Sequence, residues 1–164
     1  MKVAVGADHA GFPLKSQVLE AVRAAGHDPI DLGTDNAEPV DYPEFSHRVG
    51  RAIQERTAER GVLVCGSGIG ACIAANKMRG VYASVCHDEY SAAQGVEHDD
   101  MNVLCLGARV VQPDAVAKLV SAFLSARYLG EGPGGERHAR RVAQIRQIEA
   151  GAYGPAPRDP SEPA

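Results

Sequence analysis

Residues 62–70 read VLVCGSGIG, an apolar, strand-like run that delivers Cys65 straight into a turn with glycines at 66, 68 and 70. A nucleophilic thiol thus stands beside a ready-made anion site. Glycines let backbone N–H groups approach an oxyanion or phosphate closely, and a helix expected from Ile69 to Lys77 adds the positive end of its dipole. The same field favours thiolate at Cys65. The competing reading of this stretch alone is an inert cysteine packed at the end of a buried strand.

Further reactive or charged residues stand at comparable places: Asp8-His9 with Gly11, His87-Asp88, and Gly107 with Arg109 each follow an expected strand, and Asp41-Tyr42 precede a helix. An Asp-His pair is also what a helix cap beside a surface imidazole looks like. Arg137 and Arg141 are four apart on one face of the final helix, a spacing that can clamp a phosphate. With Arg140 they equally read as a solvated basic face.

The elements that must position these residues alternate. Strands are expected at 2–8, 29–32, 61–65, 81–86 and 102–106, and helices at 13–25, 42–59, 69–77, 90–97 and 113–126. Five βα units of this kind specify an α/β fold, a three-layer α/β/α sandwich with a five-stranded parallel, Rossmann-like sheet. Leu14, Val18, Leu19 and Val22 form the apolar stripe of the first helix, and Gly26 ends it. An extra C-terminal helix, 136–149, lies outside the five units, and its stripe of Val142, Ile145 and Ile148 needs a surface to cover. A partner subunit is one candidate. In an open parallel sheet ligands bind outside the carboxyl ends of the strands, where Asp8, Cys65, His87 and Arg109 fall. His98 breaks that rule. It precedes the fifth strand and belongs at the amino end of the sheet, either as a surface residue or in the service of a neighbouring subunit.

At 164 residues the chain fits one domain, expected over 1–150, with no room for a separate substrate domain. Hydrophobic residues make up 45% and charged residues 23%, and the net charge of −4 is spread without blocks, which argues against nucleic acid. The longest apolar runs are strand-sized, so no membrane partner is expected. Met1-Lys2-Val3 starts the first strand without a signal-like segment, so the expected location is cytoplasmic. Cys65, Cys72, Cys86 and Cys105 include no CxxC pair and read as reduced thiols, so no metal site is expected. Residues 151–164, rich in proline, are expected to be a disordered tail.

Several of these pieces together resemble a known family: GADHAGFPLK at 6–15, DLGT at 31–34, DYP at 41–43, CGSGIGACIAANK at 65–77, EHDDMNVLCLGARVV at 97–111 and RHARRV at 137–142. The chain is similar, over roughly residues 1–150, to sugar-phosphate isomerases of the ribose-5-phosphate isomerase B type, a family that includes galactose-6-phosphate and allose-6-phosphate isomerases. The resemblance implies interconversion of an aldose phosphate and a ketose phosphate through an enediolate, with no cofactor. It makes Cys65 the base, and the position used by a glutamate in a second branch of the family is Ala71 here. Ser67, with backbone donors at Gly66, Gly68 and Gly70, would hold the oxyanion. By the same resemblance His98 opens the furanose ring, Asp8 and His9 bind sugar hydroxyls and phosphate, and Arg109, Arg137 and Arg141 hold the phosphate. Tyr42 matches a position near the substrate, where an aromatic at a helix start also serves as plain packing. A homodimer with shared active sites, and a possible tetramer, is implied as well.

Asp99 departs from the family, whose members usually carry asparagine after this histidine. An amide can donate a hydrogen bond to the reacting oxygens, and an ionised carboxylate cannot. Ribose 5-phosphate is the first expectation for the substrate, with six-carbon and four-carbon sugar phosphates as alternatives. A non-catalytic sugar-phosphate binding protein is the alternative of another class. Gly66, Gly68 and Ala71 also satisfy a GxGxxG/A dinucleotide spacing with Asp88 as the ribose acid, but that reading leaves Asp8-His9, His98 and the arginine pair without roles.

Overall fold

Near-continuous apolar runs form the middle of the sheet. The strands β1 (Lys2–Ala7), β3 (Arg60–Cys65) and β5 (Val103–Gly107) are buried along almost their whole length, as strands covered by helices on both faces must be. With β2 (Asp28–Asp31) and β4 (Ala83–Val85) they make a five-stranded, all-parallel sheet in the order β2-β1-β3-β5-β4. The structure is a computed structural model and describes residues 1–154; the remainder of the expected tail lies outside the described residues.

The helices are α1 (Phe12–Ala24), α2 (Tyr42–Gln54), α3 (Ile69–Ala75), α4 (Glu89–Asp99), α5 (Val116–Ser125, after a 3-10 turn at Pro113–Ala115) and α6 (Glu136–Glu149). One core layer joins Leu14, Val18 and Val22 of α1, Val96 of α4 and Leu119, Val120 and Phe123 of α5 to one face of the sheet. The opposite layer joins Val49 and Ala52 of α2 and Ala71 and Ala75 of α3 to Leu63, Cys65 and Cys105. This is the expected three-layer sandwich. The extra helix α6 packs on α4 and buries only His138 and Val142, leaving Ile148 exposed.

Two side chains tie the sequence motifs at 6–15 and 31–34 together. Lys15, 7% exposed, pairs with Asp31 at 2.8 Å and donates to the Thr34 carbonyl at 2.7 Å. The DLGT turn is thereby pinned onto α1. At the other end of the sheet the half-buried Arg60 guanidinium donates to the carbonyls of Phe123 and Ala126, closing the C-terminus of α5.

Most boundaries shift by one to three residues, and two of the shifts have visible causes. Helix α2 stops at Gln54 rather than near Glu59, because the chain turns through a left-handed Arg56 with φ 57°. Strand β4 pairs only over Ala83–Val85, and side chains bond its first residue and the one before it. Asn102 Oδ1 accepts from Tyr82 N, and Asn76 takes both the N–H and the carbonyl of Ala83, at 2.9 and 2.8 Å. Among the described residues no helix is long and apolar enough to cross a membrane.

Candidate active site

Strand β3 ends at Cys65, which is buried, and the chain then turns sharply through Gly68 at φ +83°. That left-handed conformation costs a side-chain-bearing residue strain that glycine avoids. The turn aims the Gly68 N–H at the Cys65 sulfur, 3.2 Å away. A donor so placed holds the sulfur at the mouth of the turn. Gly68 is accordingly buried behind the sulfur, as the residue before α3, rather than lining open space. Ser67 is exposed, and its Oγ accepts from the Ile69 N–H at 3.3 Å, which leaves the hydroxyl hydrogen available.

Neighbouring strand ends complete a concavity of about 350 Å³ lined by Asp8, His9, Tyr42, Cys65, Gly66, Ser67, Gly70 and Arg109, with Ala10 and Val110. Asp8 follows β1; it is buried, and its Oδ1 accepts from the Gly11 N–H at 2.8 Å, so it also caps the approach to α1. His9 Nδ1 lies 3.2 Å from both the N–H and the carbonyl of Val40, which anchors the ring to the loop before α2. Tyr42 opens α2 and lies against Gly70: a Cβ at that position would sit 2.8 Å from Tyr42 Cζ, so only glycine admits the ring. Arg109 follows β5, where its N–H donates to the Gly66 carbonyl at 3.0 Å. Its guanidinium lies beside the glycine turn.

His98, Asp99, Arg137 and Arg141 do not line this concavity. His98 is near the end of α4, next to the start of β5 and hence at the amino end of the sheet. Its ring stacks on that of His138, with centroids 4.1 Å apart and planes inclined by 26°. Gln94 Nε2 donates to His98 Nδ1 at 2.8 Å, and Arg137 Nε donates to His138 Nε2 at 3.1 Å. Burial, and after it the charges of His98, Arg137 and Arg141, hold the His138 imidazole below its ordinary pKa, with Asp99 opposing. His138 Nδ1 is buried without a hydrogen-bond partner among the described residues. Sequence reasoning passed over His138. The available signal was its place between Arg137 and Arg141 in RHARRV.

Asp99 is exposed and lines a second concavity, about 490 Å³, with Tyr82, Ser84, Gln94, Met101 and Ile145. The adjoining Asp100, left-handed at φ 57°, pairs with Arg146 at 2.9 Å and docks α6 on the end of α4. Two other candidates have purely local roles. Asp88 caps α4 by accepting from Ser91 N and Oγ at 2.7 and 2.8 Å, and these bonds hold its carboxyl below the ordinary range. The dinucleotide reading thereby loses its ribose acid. Cys72 lies outside the site, where a hydrogen bond with Cys105 brings its thiol down to about 7 and the same bond pushes Cys105 well up.

The sequence profile of ribose/galactose isomerases matches residues 3–145. The chain belongs to the ribose/galactose isomerase family. Ribose-5-phosphate isomerase B of Escherichia coli is 40% identical over 148 residues, covering 90% of this chain and 96% of its own. The type B ribose 5-phosphate isomerase structure from Trypanosoma cruzi superposes with a TM-score of 0.87 at 42% identity, covering 92% of this chain and 99% of that one. D-erythrulose-4-phosphate isomerase of Pectobacterium atrosepticum is 36% identical over 133 residues, covering 80% of this chain and 88% of its own. For a ribose/galactose isomerase the concavity offers a thiol, an exposed hydroxyl, an imidazole and a guanidinium, a set suited to moving a proton on an anionic sugar. The second imidazole and the arginine pair stand elsewhere on the same subunit.

Proposed function

We propose that the chain interconverts ribose 5-phosphate and ribulose 5-phosphate through an enediolate, with Cys65 as the base. The observation that carries this reading is the Gly68 N–H at 3.2 Å from the Cys65 sulfur, inside a concavity that also holds Arg109. The thiolate removes the C2 proton of the open-chain aldose and returns it to C1, while a proton passes from O2 to O1. The Ser67 hydroxyl and the N–H groups of Gly66 and Gly70 hold the developing oxyanion, each such donor being worth roughly 3 kcal/mol in the transition state. The Gly68 N–H serves the sulfur. Asp8, His9 and Tyr42 bind the sugar and its phosphate together with Arg109.

His98, Arg137 and Arg141 enter the same site from a second copy of the chain. Two features favour that arrangement. They form one cluster away from the Cys65 concavity. Ile145 and Ile148 of α6 are exposed along a groove beside β4, and Ile69 and Ile73 are exposed on α3, apolar surface of the kind that marks a subunit contact. From there His98 opens the furanose ring and the arginines clamp the phosphate.

A four-carbon substrate is the second reading, favoured by the D-erythrulose-4-phosphate isomerase relative. Assays of ribose 5-phosphate, erythrose 4-phosphate, allose 6-phosphate and galactose 6-phosphate, with wild type and Cys65→Ala, test both. Turnover of ribose 5-phosphate that the substitution abolishes is the expected result. Preferred turnover of erythrose 4-phosphate selects the second reading. Full activity of Cys65→Ala removes the base, and stabilisation by a sugar phosphate without turnover makes the chain a binding protein.

A further inference from the structure

Packing alone does not account for the stacked imidazoles of His98 and His138. Helix α6 buries only one other side chain, Val142, so an aliphatic residue at position 138 would fill the space without leaving a polar atom unsatisfied. Instead the chain places there a ring that is 4% exposed, with Nδ1 lacking a partner among the described residues. The two rings have separately fixed tautomers. Gln94 donates to His98 Nδ1, which assigns the neutral ring's proton to Nε2, and Arg137 donates to His138 Nε2, which assigns its proton to Nδ1. Arg137 and Arg141 on α6, together with His98 across the stack, disfavour a charged His138, and Asp99 on α4 favours it weakly. The upshot is a flat ring, held in place by Arg137, lying 4.1 Å from the His98 imidazole.

We propose that His138 is a positioning residue for His98: stacked on it and held by Arg137, it fixes the orientation of the His98 ring. This rests on the reading that His98 opens the sugar ring. In that step the C1–O4 bond breaks with its electron pair going to the ring oxygen, which takes the proton from His98 Nε2. The C1 hydroxyl returns a proton to the same nitrogen in the same step as the carbonyl forms, so His98 ends as it began, neutral and with Nδ1 still accepting from Gln94.

Kinetics with ribose 5-phosphate on the full chain test this with His138→Ala, His138→Phe, His98→Ala and the double variant His98→Ala/His138→Ala. Loss of the ring in His138→Ala should lower kcat about tenfold, a coupling ordinary for residues in contact. His138→Phe keeps a flat neutral ring, so kcat should stay within about threefold while KM rises, because Arg137 loses its acceptor. In the His98→Ala background, His138→Ala should change kcat by less than about twofold, since the group it acts through is gone. Multiplying losses in the double variant overturn the proposal, as does a tenfold loss in a folded His138→Phe, which carries the test alone if His138→Ala does not fold. Full activity of His98→Ala is a different failure. It removes the ring-opening reading itself, and the single variant reports it independently of position 138.

Discussion

At the scale of single residues, the proposed base is the Cys65 thiol, with the Gly68 N–H 3.2 Å from its sulfur. Replacing Cys65 by alanine should lower kcat by about 10²–10⁴, the usual worth of a positioned base, with little change in thermal stability. Steady-state kinetics beside a melting curve check this. Asp99 tests the opposite sign of charge. It is exposed, and the family usually has asparagine there, so Asp99→Asn should retain isomerase activity while altering substrate preference or the pH profile. Unchanged kinetics on every sugar phosphate tried would make Asp99 a bystander. His138 makes stability depend on pH. Its folded-state pKa lies below the ordinary 6.5, so the unfolded chain takes up the proton first on acidification. The contribution is fully present above the unfolded value and is lost as pH falls through the folded one. Melting temperatures of wild type and His138→Phe should therefore differ more in favour of the variant at pH 5 than at pH 8, and parallel curves would contradict this. Cys65 was legible because the apolar run, the thiol and the glycine turn adjoin in sequence, so the strand end and its anion site can be read from one short segment. His138 was not, because its one signal, a place between arginines on a helix, reads equally as a solvated basic face.

At the scale of elements, alternation of apolar runs with helical stripes was enough to read the sheet, since a parallel strand must be buried on both faces and a covering helix on one. Boundaries were less legible, because they depend on side chains that reach from elsewhere. Asn76 and Asn102 trim β4 by occupying the backbone of 82–83, and no local propensity announces that. Lys15 is the same kind of device with a measurable consequence. Its ammonium is buried between Asp31 and the Thr34 carbonyl, so Lys15→Met strands a carbonyl and a carboxylate, at a cost of about 1–3 kcal/mol. Urea unfolding should show that loss as a lower midpoint at constant slope. An unchanged midpoint would mean that the DLGT turn is held by its backbone bonds alone.

At the scale of the whole molecule, the split between the Cys65 concavity and the His98 cluster is the feature that topology requires and one chain leaves unjoined. The sequence placed His98 at the amino end of the sheet from strand order alone; where a second copy would bring it cannot be read from one chain's pattern. The exposed isoleucines of α3 and α6 supply a surface for that contact. Ile73, 57% exposed on α3, should when changed to glutamate weaken association, seen by ultracentrifugation as a shift to lower mass, with activity falling in step. The decisive measurement is complementation between inactive variants. Cys65→Ala and His98→Ala, co-expressed with different tags and purified as the mixed species, should yield one intact site per dimer and about half of wild-type activity. A mixed dimer no more active than its two parents would show that both residues act from the same subunit, and would contradict a shared site.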